Sequence, residues 1–373
     1  MSKPYYILSP CGTSTLTHQA TNDVRSLLNR YTNAKDETQI PETDRQALQQ
    51  WLNQAKNKLA QADVNLVVTI SAELNGIIKF YQGQLPHHKG QLPHHKGNYH
   101  LLLCTDTWLG EESAKIIKNW LEQHHLIVEM IRQPDLQTND LASFQSALSD
   151  ITQWCSETLE GYRKTYQIIF NLTGGFKSVQ GFLQTLATFY ADETIYIFES
   201  GKELLRIPRL PIQMMPGVVV SENVEIFRKL ALDLKVTNCT GIAETLLLEM
   251  EGNWSLSPWG QLVWEQSKKS LYAQQLFSPL TQKINFSEGF KREVENLGNT
   301  ERLVMINERI DELTRHFENA NYNPQSLNFK PLKGNPEPPS THEFYAWSDQ
   351  NAKRIFGHFE KAVFVLDKLG KHL

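Results

Sequence analysis

The chain has 373 residues, of which 40% are hydrophobic and 21% charged, with a net charge of −4. That length suits two domains and a connector, and the composition is that of an ordinary globular protein. The charge excludes a surface that binds nucleic acid all over, while leaving room for a local basic site. Four cysteines (Cys11, Cys104, Cys155 and Cys239) are widely spaced without a CxxC pair, so neither a disulfide framework nor a metal site is expected. No basic start precedes an apolar stretch and no apolar run approaches 18 residues, which predicts a cytoplasmic protein without a membrane span.

Residues 1–216 alternate short β-branched runs with polar-faced helical runs. The predicted strands are Tyr5–Leu8, Leu66–Ile70, His100–Cys104, Ile127–Ile131, Gln167–Leu172 and Thr194–Phe198. Helical patterns cover Asp44–Gln61, Glu111–His124, Asp140–Thr158 and Lys177–Tyr190. Near-continuous apolar strands alternating with helices predict an α/β, Rossmann-like domain with a mostly parallel sheet. Its first loop, Ser9-Pro10-Cys11-Gly12-Thr13-Ser14, falls at a strand's carboxyl end, where such sheets bind ligands. Between a helix ending near Tyr81 and a strand starting near His100, the heptapeptide GQLPHHK occurs twice in succession, at Gly83–Lys89 and Gly90–Lys96. This is read as a loop expansion. Its histidines His87, His88, His94 and His95, with His100, lack a scaffold for a metal.

A Pro-rich exit (Pro208, Pro211, Pro216) ends that domain. Residues 217–282 read as a helical connector, with helices predicted at Asn223–Leu234, Gly241–Glu251 and Ser257–Leu276. From 283 to 373 two helices (Glu288–Leu297 and Glu301–Glu318) precede Ser326–Phe329 and a Lys/Gly/Pro loop, Lys330–Pro339. Three short strands follow: His342–Trp347, Ala352–Phe359 and Ala362–Lys368. Helices followed by consecutive strands predict a small α+β domain with an antiparallel sheet.

The sharpest signal in the first domain is Asn171-Leu172-Thr173-Gly174-Gly175-Phe176-Lys177-Ser178, a strand running through paired glycines into a helix. The glycines allow close backbone approach, and the helix start offers unpaired N–H groups to an anion. Lys177 adds a cation suited to phosphate; Asn171, Thr173 and Ser178 add hydrogen bonds. The spacing is not that of a Walker A loop, which disfavours an NTPase. The bland alternative is a tight turn with a solvated lysine.

Together with ILSPCGTSTLT (Ile7–Thr17), VVTISAELNG (Val67–Gly76) and LLLCTDTWLGEESA (Leu101–Ala114), this segment resembles the CARF domains of CRISPR-associated proteins, which bind cyclic oligoadenylates. The resemblance runs from Tyr5 to about Ser200. It implies a ligand site lined by Gly12, Thr13, Ser14, Ser71, Glu73, Asp106, Thr107 and the segment Thr173 to Ser178, including Gly174, Gly175 and Phe176. It also implies a homodimer, since a cyclic tetra-adenylate ring carries two-fold symmetry that fits a two-fold axis. That ring would be the activating ligand, with no cofactor.

In the last domain, strand alternation puts Arg354, Phe356 and His358 on one face and Ile355, Gly357 and Phe359 on the other. A cation, a ring and an imidazole on one face, with Lys330, Lys333, Lys368, Lys371 and His372 nearby, supply parts for metal-free RNA cleavage. The same pattern also fits the solvated face of an antiparallel sheet.

The stretch from Ile284 to Leu373 resembles RelE-type toxins, which cut mRNA in the ribosomal A site. The resemblance is carried by His342–Trp347, by Asn351-Ala352-Lys353-Arg354-Ile355-Phe356-Gly357-His358-Phe359 and by Ala362–Leu373. It implies that Arg354 stabilises transition-state charge, that His372 is the general acid, and that Lys371 and Lys333 contact phosphate. Glu343 and Tyr345 stand where some relatives carry lysines, so the general base is left open between Glu343, a lysine of the Lys330–Lys333 loop, or none. From Lys283 onward 13 Lys plus Arg balance 13 Asp plus Glu, a less basic module than a ribosome binder suggests.

The two resemblances in one chain imply a CRISPR ribonuclease, activated by cyclic oligoadenylate, that cleaves mRNA on ribosomes. Ribosome and mRNA would be its partners, with the ribosomal stalk protein a further one through relatives of this architecture. Two alternatives are a ring nuclease degrading the messenger and a ligand-responsive transcription regulator using residues 223–276. The second is opposed by the lack of a dense basic face there.

Overall fold

The computed structural model describes residues 3–81, 97–198, 201–211, 218–250, 252–319, 321–333, 338–349 and 351–371. They fall into two compact units, Met1–Gln213 and Met214–Leu373. The duplicated GQLPHHK tract, residues 83–96, lies wholly outside the described residues, as does His372.

Unit 1 is a mixed α/β unit consistent with a Rossmann-like domain. Its strands are β1 (Tyr5–Cys11), β2 (Tyr99–Cys104), β3 (Ile127–Arg132), β4 (Gln167–Asn171), β5 (Glu193–Ile197) and β6 (Leu204–Pro208). They form one sheet in the order β3-β2-β1-β4-β5-β6, parallel except for β6. The helices are α1 (Ser14–Thr17), α2 (Asn22–Arg30), α3 (Glu42–Gln61), α4 (Val64–Ile70), α5 (Ala72–Phe80), α6 (Trp108–Gln123), α7 (Leu141–Trp154), α8 (Glu160–Tyr162) and α9 (Lys177–Tyr190). A π-helical turn at Cys155–Leu159 joins α7 to α8. Ile7, Leu102 and Ile169, on the three central strands, are fully buried against Leu74, Ile77, Leu109 and Ile117. The order of strands reverses between β1 and β4. Loops diverge there to opposite faces, leaving the crevice in which open α/β sheets bind ligands.

One predicted strand of this unit is a helix. Leu66–Ile70 is β-branched and apolar, yet it lies within α4. The Asp63 side chain accepts from the Leu66 N–H at 2.9 Å, capping the helix start. Val67 and Ile70, three residues apart, are the buried pair, which is a helical and not a strand period.

Unit 2 contains the predicted connector and the last module packed together. α10 (Val218–Glu222), α11 (Val224–Ala231), a hairpin of β7 (Leu247–Met250) and β8 (Asn253–Leu256), and α12 (Pro258–Tyr272) come first. The hairpin replaces the helix expected at Gly241–Glu251. Gly252 has φ +77°, a left-handed conformation that turns the chain between the two strands. Phe227, Leu256, Trp264 and Tyr272 make the core of this part.

Then follow β9 (Ile284–Phe286), α13 (Glu288–Glu295), α14 (Thr300–Glu318), β10 (Lys330–Pro331), β11 (His342–Trp347), β12 (Lys353–Glu360) and β13 (Val363–Gly370). The sheet order is β10-β11-β12-β13-β9, antiparallel except that β9 runs parallel to β13. α13 and α14 cover one face, where Phe290, Ile306 and Ile310 meet Phe344, Ile355, Phe364 and Leu366. Arg228 of α11 is tied to α14 by a buried ion pair, Nη2 to Asp311 Oδ1 at 2.5 Å. The Tyr272 hydroxyl donates to the same carboxylate, and Arg228 Nη1 donates to the Ser278 carbonyl at 2.9 Å.

Candidate functional site

In unit 1 the loops after β1 and β4 meet at the crevice. A Cβ built on Gly12 would lie 3.3 Å from the Gly175 backbone, so the two loops touch main chain to main chain. Gly175 has φ +97° and packs against Pro10, which leaves little choice but glycine. The cavity beside them has a volume of about 1200 Å³. Gly12, Thr13, Ser14, Thr173, Gly174, Gly175, Phe176 and Lys177 all line it, so the predicted loops converge on one space.

Helix α9 starts at that space. Phe176, its N-cap residue, supplies no side-chain cap, and no acidic residue sits in the first turn. The first N–H groups and the positive end of the helix dipole are therefore available to an anion. Two buried oxygens of lining residues, Thr173 Oγ1 and Asn75 Oδ1, have no hydrogen-bond partner. Thr173 Oγ1 can donate to a ligand oxygen, and Asn75 Oδ1 can accept from a ligand amine. Lys79 and Lys202 join Lys177 around the rim.

Ser71, Glu73 and Asn171 are fully buried and serve as the frame beneath the loops. Glu73 Oε1 accepts from the Gly12 N–H at 2.9 Å, and Oε2 accepts from the Ser14 and Ser71 hydroxyls, each at 2.9 Å. Asn171 Nδ2 donates to the Glu73 carbonyl at 3.0 Å and to Ser9 Oγ at 3.1 Å. Any Cβ at Gly174 would collide with the Glu73 carboxyl group. One carboxylate thus fixes the loop after β1 and sets the shape of the loop after β4.

Asp106 and Thr107 do not line the cavity. Asp106 accepts from Arg132 Nε at 2.9 Å and pairs with Lys35 Nζ at 3.1 Å. Thr107 Oγ1 caps α6, accepting from the Gly110 N–H at 3.2 Å. Both are structural here. Ser178 is exposed at the start of α9, outside the lining. His100 is buried, sits 3.1 Å from the Tyr81 hydroxyl, and is held neutral, its pKa lowered to about 3 by burial. No cluster of metal-ligating side chains occurs among the described residues.

Lys79 and Lys202 escaped sequence reasoning. Ala72, Asn75 and Lys79 share one face of α5 by their spacing of three and four, a signal that could have found Lys79. Lys202 follows β5 in a loop, where no periodicity marks it.

In unit 2 the sheet face opposite α13 and α14 carries two cross-strand rows. Lys330, Glu343, Phe356 and Lys368 pair in one row; Tyr345, Arg354 and Gly370 pair in the next. This is not a solvated face. Glu343 is 2% exposed, Phe356 1% and Arg354 4%. The Arg354 guanidinium carbon lies 3.4 Å from the centre of the Tyr345 ring. Arg354 Nη1 and Glu343 Oε2 are buried without hydrogen-bond partners. Glu343 Oε1 pairs with Lys330 Nζ at 3.3 Å. A buried donor of this kind left without an acceptor costs about 1–3 kcal/mol, and an oxyanion would satisfy it.

His358, the third predicted residue of that face, is held by Asp367, an acid the sequence reading did not single out. Its Nδ1 lies 2.9 Å from Asp367 Oδ1, and Ser340 Oγ donates to Asp367 Oδ2 at 2.7 Å. The Asp367 hydrogen bond raises the His358 pKa above its ordinary value. Asp367 sits in an irregularity of the β12–β13 ladder, opposite the break between Phe356 and Gly357, so strand alternation could not place it. Lys333 and Lys371 are exposed. His372, expected as general acid, lies outside the described residues.

Residues 68–210 match the family model described as CRISPR-associated protein (Cas_APE2256), a stretch that runs from α4 to just past β6. No curated protein matches the chain. Among the described residues no helix is long and apolar enough to cross a membrane. The family match takes in the Ser71–Glu73 frame and the Thr173–Ser178 loop, and it supports a CRISPR-associated role for this chain.

Proposed function

We propose that the protein is a CRISPR ribonuclease switched on by a cyclic oligoadenylate, with cyclic tetra-adenylate as the first candidate. The messenger binds the unit 1 cavity, its phosphates at the start of α9 and near Lys177, and its bases toward Asn75. Two copies of the chain enclose one ring about a two-fold axis. The resemblance to CARF domains, the family match and the rim of lysines support this half of the reading.

The other half is a RelE-type mRNA interferase in residues 283–373. The observation that carries it is the buried Arg354 guanidinium, stacked on Tyr345 with a nitrogen lacking any acceptor. A scissile phosphate would provide that acceptor. The reaction is a transesterification. The 2′-OH loses its proton, attacks phosphorus and displaces the 5′-oxygen, which takes up a proton, leaving a 2′,3′-cyclic phosphate. Glu343, with its free Oε2 one row from Arg354, is the base this reading prefers. Arg354 and Lys368 hold the charge on the phosphorane. His372 remains the acid expected from the resemblance. His358 stands four residues from Arg354 on β12, about 13 Å at the rise of a strand, and so belongs with a neighbouring phosphate.

Charge in this module is balanced, so the ribosome has to hold the mRNA near its in-line geometry. Orientation of that kind contributes roughly 7–11 kcal/mol. The test compares naked mRNA with the same mRNA engaged on ribosomes, both at saturating messenger. Cutting confined to the engaged mRNA is expected. Equal cutting of both would contradict a RelE-type mechanism.

A further inference from the structure

Beside Arg354 lies a second cleft, of about 430 Å³, that the catalytic scheme does not use. Tyr345, whose ring carries the Arg354 guanidinium, is also one of its walls, and Trp347 is another. The rest of the lining comes from outside the sheet. Gln325 and Asn328 bring neutral amides, and Ser348 a hydroxyl. Among the described residues no carboxylate lines it, and the single charged group is Arg309, whose Nε is buried without a partner.

The loop that supplies the amides is built, not slack. Asn323 Oδ1 accepts from the Phe329 N–H, and its Nδ2 donates to the Phe329 carbonyl, each at 3.0 Å. The Tyr345 N–H donates to the Leu327 carbonyl at 2.9 Å, and Leu327 is fully buried. Asn328 is held with φ +48°, a left-handed conformation that asparagine tolerates better than most residues. Arg309 Nη1 donates to Glu312 Oε2 at 2.5 Å, and Ser326 Oγ donates to Glu312 Oε1 at 3.0 Å, so Glu312 fixes both.

We infer that this cleft is a nucleobase subsite, taking an RNA base of the nucleotide next to the phosphate that Arg354 holds. Its volume falls within the range of about 300–1,000 Å³ usual for small-molecule sites. Aromatic walls offer faces for stacking a splayed base, and fixed amides read the donors and acceptors of its edge. A site for phosphate alone would need cations in place of the amides. Tyr345 ties the two subsites together, because it supports Arg354 and walls the cleft at once. The inference rests on reading the Arg354 face as RNA-cleaving, but its test does not.

The test labels the full-length protein with 5-fluorotryptophan and follows the Trp347 signal, assigned with Trp347→Phe. The Trp347 indole donates to the Asn351 carbonyl at 2.9 Å, so the signal reports on the cleft wall. The four nucleoside 5′-monophosphates are the probes. At least one is expected to shift the Trp347 signal, with affinity lowered about tenfold in Gln325→Ala or Asn328→Gly, the loss of one good hydrogen bond. Asn328→Gly keeps the left-handed backbone while deleting the amide, so it tests recognition without unfolding the loop. A Trp347 signal unmoved by all four at millimolar concentration, or moved equally in wild type and both variants, would overturn the subsite. Nucleotide binding with no mRNA cleavage would leave the subsite standing and remove the interferase reading. Cleavage with a silent Trp347, and with base preference at the cut unchanged in both variants, would do the reverse.

Discussion

Arg354 and Tyr345 face each other across β12 and β11, with the guanidinium carbon 3.4 Å from the ring centre and Nη1 left without an acceptor. A cation–π contact contributes about 0.5–2 kcal/mol, and it leaves the donors free to bind phosphate. Arg354→Ala is expected to lower mRNA cleavage about a hundredfold to a thousandfold, with messenger affinity unchanged. Arg354→Lys should fail nearly as badly, because an ammonium neither stacks nor forks in the same way. Single-turnover cleavage and calorimetry on the same preparations separate the two effects. Wild-type rates in either variant would remove Arg354 from the chemistry.

Gly174→Ala and Lys177→Ala should damage messenger binding in different ways. The first drives a methyl group into the Glu73 carboxyl, which also holds Gly12 and Ser14. Both loops then move together, and binding should vanish. The second removes one charge-assisted contact of about 1.5–3 kcal/mol, an affinity loss of roughly tenfold to a hundredfold, with the protein still folded. Calorimetry with cyclic tetra-adenylate distinguishes the outcomes. Unchanged affinity in Lys177→Ala would place the phosphates elsewhere.

The Arg228–Asp311 pair is nearly closed to solvent, with side chains 3% and 9% exposed. Removing one partner strands a buried charge, at a cost of about 3–5 kcal/mol. Arg228→Met or Asp311→Leu alone should therefore lower the urea midpoint markedly. The double variant should recover much of the loss. Additive losses in the double variant would show that the charges are independently solvated.

His358 gives the last domain a pH dependence of definite sign. Its pKa is raised by the Asp367 hydrogen bond, so its contribution is complete below the ordinary imidazole value of 6.5 and is lost as pH rises through the raised one. Asp367→Asn should remove most of that loss, the Glu360 carboxylate 3.3 Å from His358 Nε2 sustaining the remainder. Unfolding midpoints of the two proteins, measured on either side of neutrality, should differ more on the acid side. A gap that is constant with pH would refute the coupling.

Much of this architecture is legible in the sequence because local and global signals agree. Lys177–Tyr190 begins at the residue predicted, since Gly174 and Gly175 turn the chain after β4 and the apolar residues then repeat at helical spacing. Leu66–Ile70 misleads because β-branched side chains suggest a strand, while Asp63, just upstream, caps a helix. Alternation puts Arg354 on the face it occupies, but its burial depends on partners from other strands. Asp367 was invisible for a related reason: a break in the ladder brings it to His358, and period-2 patterning cannot foresee such a break. Lys202 reaches the unit 1 cavity only through tertiary packing.

In the proposed function a cyclic oligoadenylate in unit 1 licenses RNA cleavage by the Arg354 face. The most direct measurement is translation in a purified system with and without cyclic tetra-adenylate, mapping the 3′ ends of the mRNA. Codon-phased cuts are predicted that require the messenger, end in 2′,3′-cyclic phosphate, and disappear in Arg354→Ala and Gly174→Ala alike. Cuts that ignore the messenger, or that persist in Arg354→Ala, would contradict it.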